Sequence, residues 1–277
     1  MSAHIKTIHP MKYMRDFLAR KIRPDGRKLA EVRPTAVNVG SISTADGSAL
    51  IKIGNTVVIC GIKAELTVPN AEKPNEGFVI PNLELPPLCS PQFKSGPPGN
   101  TAQVCSQFLA DVLANSKCVD LQSLCVVPDK VAWVLYCDLV CLDYDGSVLD
   151  ACVAALVSAL STVTLPEVKY DPIMKTKCVE LEKRKPLVLT CYPFASTFAT
   201  FDEESILADP SEEEESLSSG TITCVMTGAD LCTVHKPGGC RLNEQQVSEC
   251  ISKSQKRWQS LKGMVEASMK SVYSNDF

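Results

Sequence analysis

Twice along the chain, a series of short β-branched apolar runs closed by Gly, Asp or Pro gives way to one long segment of helical periodicity. That order allows few folds. Strand runs followed by a helix in each half predict an α+β architecture of two sheet-and-helix subdomains. In the first half, strands are expected at Val37–Ser43, Ala49–Ile53, Thr56–Glu65 and Val131–Leu142. Asp46-Gly47 has hairpin chemistry, and Gly54-Asn55 joins the next pair. The run TVVICGIKA is rich enough in β-branched residues to be buried on both faces. A helix over Thr101–Asn115 would bury Val104, Phe108 and Val112, with Cys105 and Leu109 beside them. A second, Ser147–Leu160, opens with an apparent capping box, Ser147 with Asp150. Between them, residues 67–99 carry eight prolines and read as loop. In the second half, strands fit Leu187–Tyr192, Ser196–Phe201, Ser205–Asp209, Gly220–Met226 and Leu231–His235. Lys236-Pro237-Gly238-Gly239 then leads to a helix over Asn243–Tyr273, with Val247, Ile251, Trp258, Leu261, Val265 and Val272 as its buried stripe. The expected division is an N-terminal helix (10–21) and turn (23–27) within 1–32, a first half over 33–165, a polar boundary over 164–185, and a second half over 186–273.

Composition narrows the class. Hydrophobic residues make up 45% and charged residues 22%, ordinary for a folded globular chain and too apolar for a wholly disordered one. No run approaches the length of a membrane span, and the N-terminus lacks the apolar core of a secretory leader. Asp16 and Asp25 argue against a mitochondrial presequence. The 14 cysteines include no CxxC pair; even the closest, Cys137 and Cys141, lie within an apolar run. They are expected to be reduced thiols in the core, which points to cytosol or nucleus.

The net charge of −4 hides an asymmetry. Residues 1–33 hold nine Lys/Arg against three acids, and residues 202–215 hold eight acids and no base. An acidic chain is a poor candidate for a free-standing nucleic-acid binder, though it could meet RNA inside a larger assembly. Chemical motifs are sparse. There is no Walker loop, GxGxxG or HExxH, and the histidines are His4, His9 and His235 alone. Gly238-Gly239 could cradle an anion or simply turn the chain. The acidic run ADPSEEEES could place Asp209 and Glu215 around a divalent metal, or could be a solvated loop.

RPDGR at 23–27 followed by NVGSISTADGSALIKIGNTVVICGIKAE at 38–65 resembles the opening of the RNase PH family. The helix after SGPPG, the strand LYCDLVCLDYDG, the acidic turn and the closing KPGG-plus-helix follow in family order over roughly residues 23–270. LPPLCS (85–90), SGPPG (95–99) and LDYDGSVLDA (142–151) look most like a ring subunit of the eukaryotic RNA exosome. The resemblance implies a fold related to ribosomal protein S5 domain 2. It also implies phosphate-driven degradation of RNA from its 3′ end, a reaction needing arginine and Ser/Thr donors for phosphate and carboxylates with a metal. This chain departs from that pattern. Gly96-Pro97 stands where active members have Gly-Arg, and no Lys or Arg occurs from Pro97 to Ser116. Ser147-Val148-Leu149 replaces the phosphate-holding Gly-Thr-Arg, while Asp209 and Glu215 fall on the catalytic carboxylates.

The expectation is therefore a non-catalytic member of a hetero-hexameric RNase PH-like ring. It would carry no metal or other cofactor. Its partners would be its ring neighbours, S1/KH cap subunits, an associated exoribonuclease and single-stranded RNA in the channel, in nucleus, nucleolus and cytoplasm, with no membrane. Lys94 is the candidate RNA contact, Asp209 and Glu215 are relics, and the apolar strands and the loop 67–99 would serve the interfaces. Two alternatives stand beside it: an active phosphorolytic 3′–5′ exoribonuclease, and an RNA-binding protein acting alone.

Overall fold

The computed structural model describes residues 6–171, 176–202 and 205–275. Helix α1 (Pro10–Leu18) starts on a proline, whose missing N–H costs nothing in a first helical turn. Strands β1 (Thr35–Val39), β2 (Gly47–Ile53), β3 (Thr56–Thr67), β4 (Phe78–Glu84), β5 (Cys125–Val127) and β6 (Val131–Asp143) form one sheet, ordered β1-β2-β3-β6-β4 with β5 added to β6. Helices α2 (Asn100–Ser116) and α3 (Val148–Thr162) belong to this half. A hairpin, β7 (Thr164–Asp171) with β8 (Thr176–Pro186), leads to a second sheet. This has the order β10-β9-β11-β12, from β9 (Phe194–Phe201), β10 (Ser205–Ala208), β11 (Gly220–Thr227) and β12 (Asp230–His235). The short α4 (Glu212–Leu217) sits between β10 and β11, and α5 (Glu244–Asn275) closes the chain.

Helix α3 organises the whole. Its sequence VLDACVAALVSALST has no polar stripe, and it is buried on every side, as expected of a helix enclosed by protein. It shares one core with β2, β3 and β6 of the first sheet and with Phe194, Ala195 and Val225 of the second. Leu156 and Leu160 alone contribute about 1.5–3 kcal/mol each through burial. The small residues Ala155 and Ala159 let the first sheet approach closely. A Cβ on Gly47 would lie 2.6 Å from Val163 Cγ2 and 2.8 Å from the Ala159 carbonyl.

Several local expectations change. The first strand ends at Val39, because Gly40 turns with φ +74°, and seven residues separate it from β2. Gly47 thus serves helix packing rather than a two-residue turn. That turn is Gly54-Asn55, with Gly54 at φ +58° and Ile53 paired to Thr56. Strand β3 buries one face alone, through Thr56, Val58, Cys60 and Ile62. The proline-rich stretch 67–99 contains β4, a parallel edge strand. Gly77 and Leu83 send their N–H groups off the sheet, to the Leu121 carbonyl and Ser106 Oγ. By the two-residue period, Pro81 has its missing N–H on that same free side, where no ladder bond is lost.

In α2 the buried set is Ala102, Cys105, Phe108, Leu109 and Val112, and Val104 faces outward. The stretch read as a polar boundary is the β7–β8 hairpin, and residues 187–192 form no strand apart from a single Val119–Leu189 bridge. The core stripe of α5 is Cys250, Ser254, Arg257, Leu261 and Val265, with Trp258 beside it; the Val272 side chain lies outside the described residues. The thirteen cysteines whose side chains are described are free thiols. No described helix is long and apolar enough to cross a membrane.

Candidate functional site: a carboxylate turn held by arginines

Three segments converge at the C-terminal end of β6: the stretch Arg23–Arg33, the turn Asp209–Glu215, and Tyr144–Leu149 leading into α3. Gly146 makes the convergence possible. It adopts φ +72°, and a Cβ there would lie 2.5 Å from the Pro210 carbonyl oxygen. Asp209 also has positive φ (+51°), a conformation Asp tolerates better than most residues, and its N–H is fixed to the Thr197 carbonyl at 2.9 Å.

The Asp209 carboxylate is fully buried and gripped by Arg33. Arg33 Nη2 donates to Oδ1 at 2.7 Å, Nε donates to Oδ2 at 3.0 Å, and the Arg33 backbone N–H donates to Oδ2 at 2.7 Å. The same guanidinium donates to the Asp145 carbonyl at 2.5 Å. Arg23, wholly buried, donates to the carbonyls of Leu29, Ala208 and Asp209 and pairs with Glu214. Arg27 bridges Asp25 and the Asp209 carbonyl. Burial by itself would raise the Asp209 carboxyl; the hydrogen bonds and charge of Arg33, with the charge of Arg257, overcome that and hold it at about 2.

Glu215 has a different setting. It accepts the Ser147 N–H at 2.7 Å, at the N-terminus of α3, and the Tyr144 hydroxyl at 3.3 Å. Burial outweighs both bonds and pushes its carboxyl up to about 7. Ser147 and Asp150 form no capping box. Ser147 Oγ donates to the Pro210 carbonyl at 3.0 Å. Asp150 turns inward, accepting the Thr197 N–H at 2.9 Å, the Thr197 hydroxyl at 2.6 Å and Arg257 Nη1 at 2.8 Å. The residues that do cap are Ser211 and Glu214 at the start of α4, where Glu214 accepts the Ser211 N–H at 3.0 Å.

In front of Glu215 lies a cavity of about 130 Å³, lined among others by Cys105, Ser147, Leu149, Thr197 and His235. His235 packs its ring against Phe108, centroids 5.2 Å apart. His9 sits exposed at the head of α1, and His4 lies outside the described residues. Gly238-Gly239 turns the chain, because a Cβ on Gly239 would strike the Ser219 carbonyl. Lys94 is exposed beside Phe93, whose ring meets Tyr144 edge-on. A larger apolar groove of about 710 Å³ between α2 and β4 shares no residue with the carboxylate site. The acidic turn is thus not a solvated loop. The sequence expectations did not bring out Arg23, Arg33, Arg257 or the inward turn of Asp150; the complementary charge of 1–33 and 202–215 was the signal available for Arg23 and Arg33, while Asp150 and Arg257 lie outside both stretches.

The two carboxylates shift stability in opposite directions. Asp209 is held below its unfolded value of 3.8, so it stabilises above that pH, and the roughly 2 kcal/mol involved is lost as pH falls through 3.8 toward 2. Glu215 is raised above 4.5, so ionising it in the folded state costs about 3 kcal/mol, a penalty that grows from pH 4.5 to 7. Glu215→Gln is therefore expected to match the wild type in urea unfolding at pH 4.5 and to exceed it by about 3 kcal/mol at pH 7.5. A difference that is the same at both pH values would refute the raised carboxyl.

Residues 31–166 match the family model described as "3′ exoribonuclease family, domain 1", named RNase PH, and residues 191–257 match domain 2 of the same family. The chain is 42% identical over 247 residues to the exosome complex component rrp43 of Schizosaccharomyces pombe, covering 89% of this chain and 91% of that protein. That relative's name agrees with the narrower likeness carried by LPPLCS, SGPPG and LDYDGSVLDA, which is to ribosomal RNA-processing protein 43. Among solved structures, a chain of the Archaeoglobus fulgidus exosome with RNA bound to the active site superposes with TM-score 0.82 at 29% identity, covering 91% of this chain and 96% of that one. A chain of an archaeal exosome core gives TM-score 0.77 at 25% identity, covering 95% and 100%.

Proposed function

The chain belongs to the RNase PH family of 3′ exoribonucleases, and from that membership we propose that it is a non-catalytic structural subunit of the exosome core ring. In this reading it stands among RNase PH-like neighbours in a hetero-hexamer beneath S1/KH cap subunits. It helps to line the channel that delivers single-stranded RNA to an associated exoribonuclease, in rRNA processing and RNA decay, in nucleus, nucleolus and cytoplasm.

One observation carries the non-catalytic part. The groups that would have to hold phosphate and metal are already engaged with the chain itself. The Glu215 carboxylate sits on the Ser147 N–H, at the helix N-terminus that would otherwise suit an anion. Val148 and Leu149 offer no donor side chain there. Both Asp209 oxygens face the Arg33 guanidinium, a donor set that suits a cationic side chain and not a divalent ion. Among the described residues no three His, Cys, Asp or Glu side chains come together around a common centre. Without an arginine fork for phosphate, the loss of transition-state stabilisation amounts to roughly a thousandfold or more in rate.

The test supplies purified chain with magnesium, phosphate and labelled single-stranded RNA. Release of nucleoside diphosphates is expected at less than about a thousandth of an active relative's rate. A rate within tenfold of that relative would restore the exoribonuclease alternative. Native mass measurement of the affinity-purified complex should give a mixed assembly in which this chain occurs once among different RNase PH-like subunits, with the cap subunits added; a monomer or a homohexamer would contradict the ring.

A further inference from the structure

The basic excess of the N-terminal segment is only partly consumed by the fold. Lys6 pairs with Glu213 at 2.7 Å and Arg15 with Asp202 at 2.7 Å. Arg23, Arg27 and Arg33 are spent on Glu214, Asp25 and Asp209. Removing these leaves Lys12, Arg20, Lys21 and Lys28. All four are exposed, and none takes part in an ion pair among the described residues. They lie along one strip. Lys12 is on α1, Arg20 and Lys21 follow its last turn, and an antiparallel bridge pairs Lys28 with Ile22, returning the chain to the end of that turn. Along the same helix runs an aromatic pair, Tyr13 and Phe17, both half-buried, ring centroids 4.9 Å apart. Two exposed acids stand with them, Asp16 on the helix and Glu31, whose carboxylate accepts the Lys28 backbone N–H at 3.0 Å, so the segment keeps four cations against two acids.

We propose that this strip is a binding surface for single-stranded RNA, the four cations meeting phosphates and the Tyr13–Phe17 edge offering a stacking face. The proposal rests on the ring-subunit reading for its ligand, and it assigns a contact separate from the small cavity before Glu215. Exposed cations without carboxylate partners suit a polyanion, and adjoining rings suit bases, each of which presents a face to stack. An acidic peptide would meet the same charges but would leave the rings unused. Contact of this kind tracks backbone and reads no sequence.

The test is fluorescence anisotropy of a labelled oligouridine of about 20 nucleotides with the full chain, titrated between about 50 and 200 mM salt. The variant K12S/R20S/K21S/K28S changes only exposed side chains outside the buried network, and its urea midpoint checks the fold. It should bind at least tenfold more weakly at 50 mM salt and reduce the salt slope by about two to three, at roughly 0.7 per lost phosphate contact on a single strand. Lys256→Ser, an exposed cation of α5 away from this segment, serves as the comparison and should leave the slope unchanged. No binding by the wild type, or a quadruple variant that binds like it, overturns the proposal. So does a polyglutamate peptide that binds the wild type more tightly than the oligonucleotide. Because binding is read on the isolated chain and ring entry by native mass, the two readings can fail separately. A wild type that enters no ring refutes the ring, and a variant that enters the ring yet keeps full RNA affinity refutes the strip.

Discussion

Arg33→Met is expected to destabilise the protein by about 3–5 kcal/mol, because it leaves the Asp209 carboxylate buried without its counter-charge. The loss is larger than for a surface pair, since Asp209 is fully buried and Arg33 is only 8% exposed. The guanidinium's hydrogen bonds to the Asp145, Gly146 and Pro210 carbonyls and to both carboxylate oxygens also disappear, so the Arg23–Arg33 segment loses its main tie to the acidic turn. Urea unfolding of the full chain at pH 7 measures the effect. A second variant, R33M/D209L, removes both charges and should recover most of the loss, as replacement of a whole buried pair by apolar groups often does. A single substitution costing less than about 1 kcal/mol would show that the pair is not buried as described.

Asp150→Ala should cost a comparable amount, about 3–5 kcal/mol, through a different set of orphans. Asp150 lies within the apolar helix α3 and is the one acceptor shared by Arg257 of α5 and by the N–H and hydroxyl of Thr197 in β9. Its removal strands a guanidinium that is 8% exposed by residue and the Thr197 N–H, and leaves the Thr197 hydroxyl with Thr223 alone. Thr197→Val deletes one hydroxyl and should cost about 1–3 kcal/mol. In a double-mutant cycle with Arg257→Met, Asp150→Ala should show a coupling energy above about 1 kcal/mol. Additive losses would mean that the two side chains do not share an interaction.

The helices and most strands were legible because their signals are local. Helix α3 announces itself through a mostly apolar sequence with no polar stripe, and β6 through thirteen residues rich in Val, Leu and Cys. Strand β4 was hidden by Pro81, which normally argues against a strand; only its edge position, with the free side toward α2, makes it harmless. Ser147 and Asp150 have capping-box spacing, but spacing does not say where a side chain points, and Asp150 found Thr197 and Arg257 instead. In α5, Arg257 falls three residues after buried Ser254 and four before buried Leu261, so helical phase alone marked it as inward-facing. A charge on that phase was the available sign of a buried partner. The acidic run brought Asp209 and Glu215 forward and the family motifs gave them a role, yet nothing local separated the two.

The sequence by itself determined the long helices and the core strands in their order, the family, and the lack of basic side chains on α2. Each of these is written in neighbouring residues and in hydrophobic periods a few residues long. Only the tertiary structure decided which charges are neutralised: Arg33 meets Asp209 across 176 positions and Arg257 meets Asp150 across 107. Burial makes such pairs strong and unpaired members costly, and burial belongs to the packed whole, so no stretch of chain read alone could assign Asp209 to an arginine and Glu215 to a helix terminus.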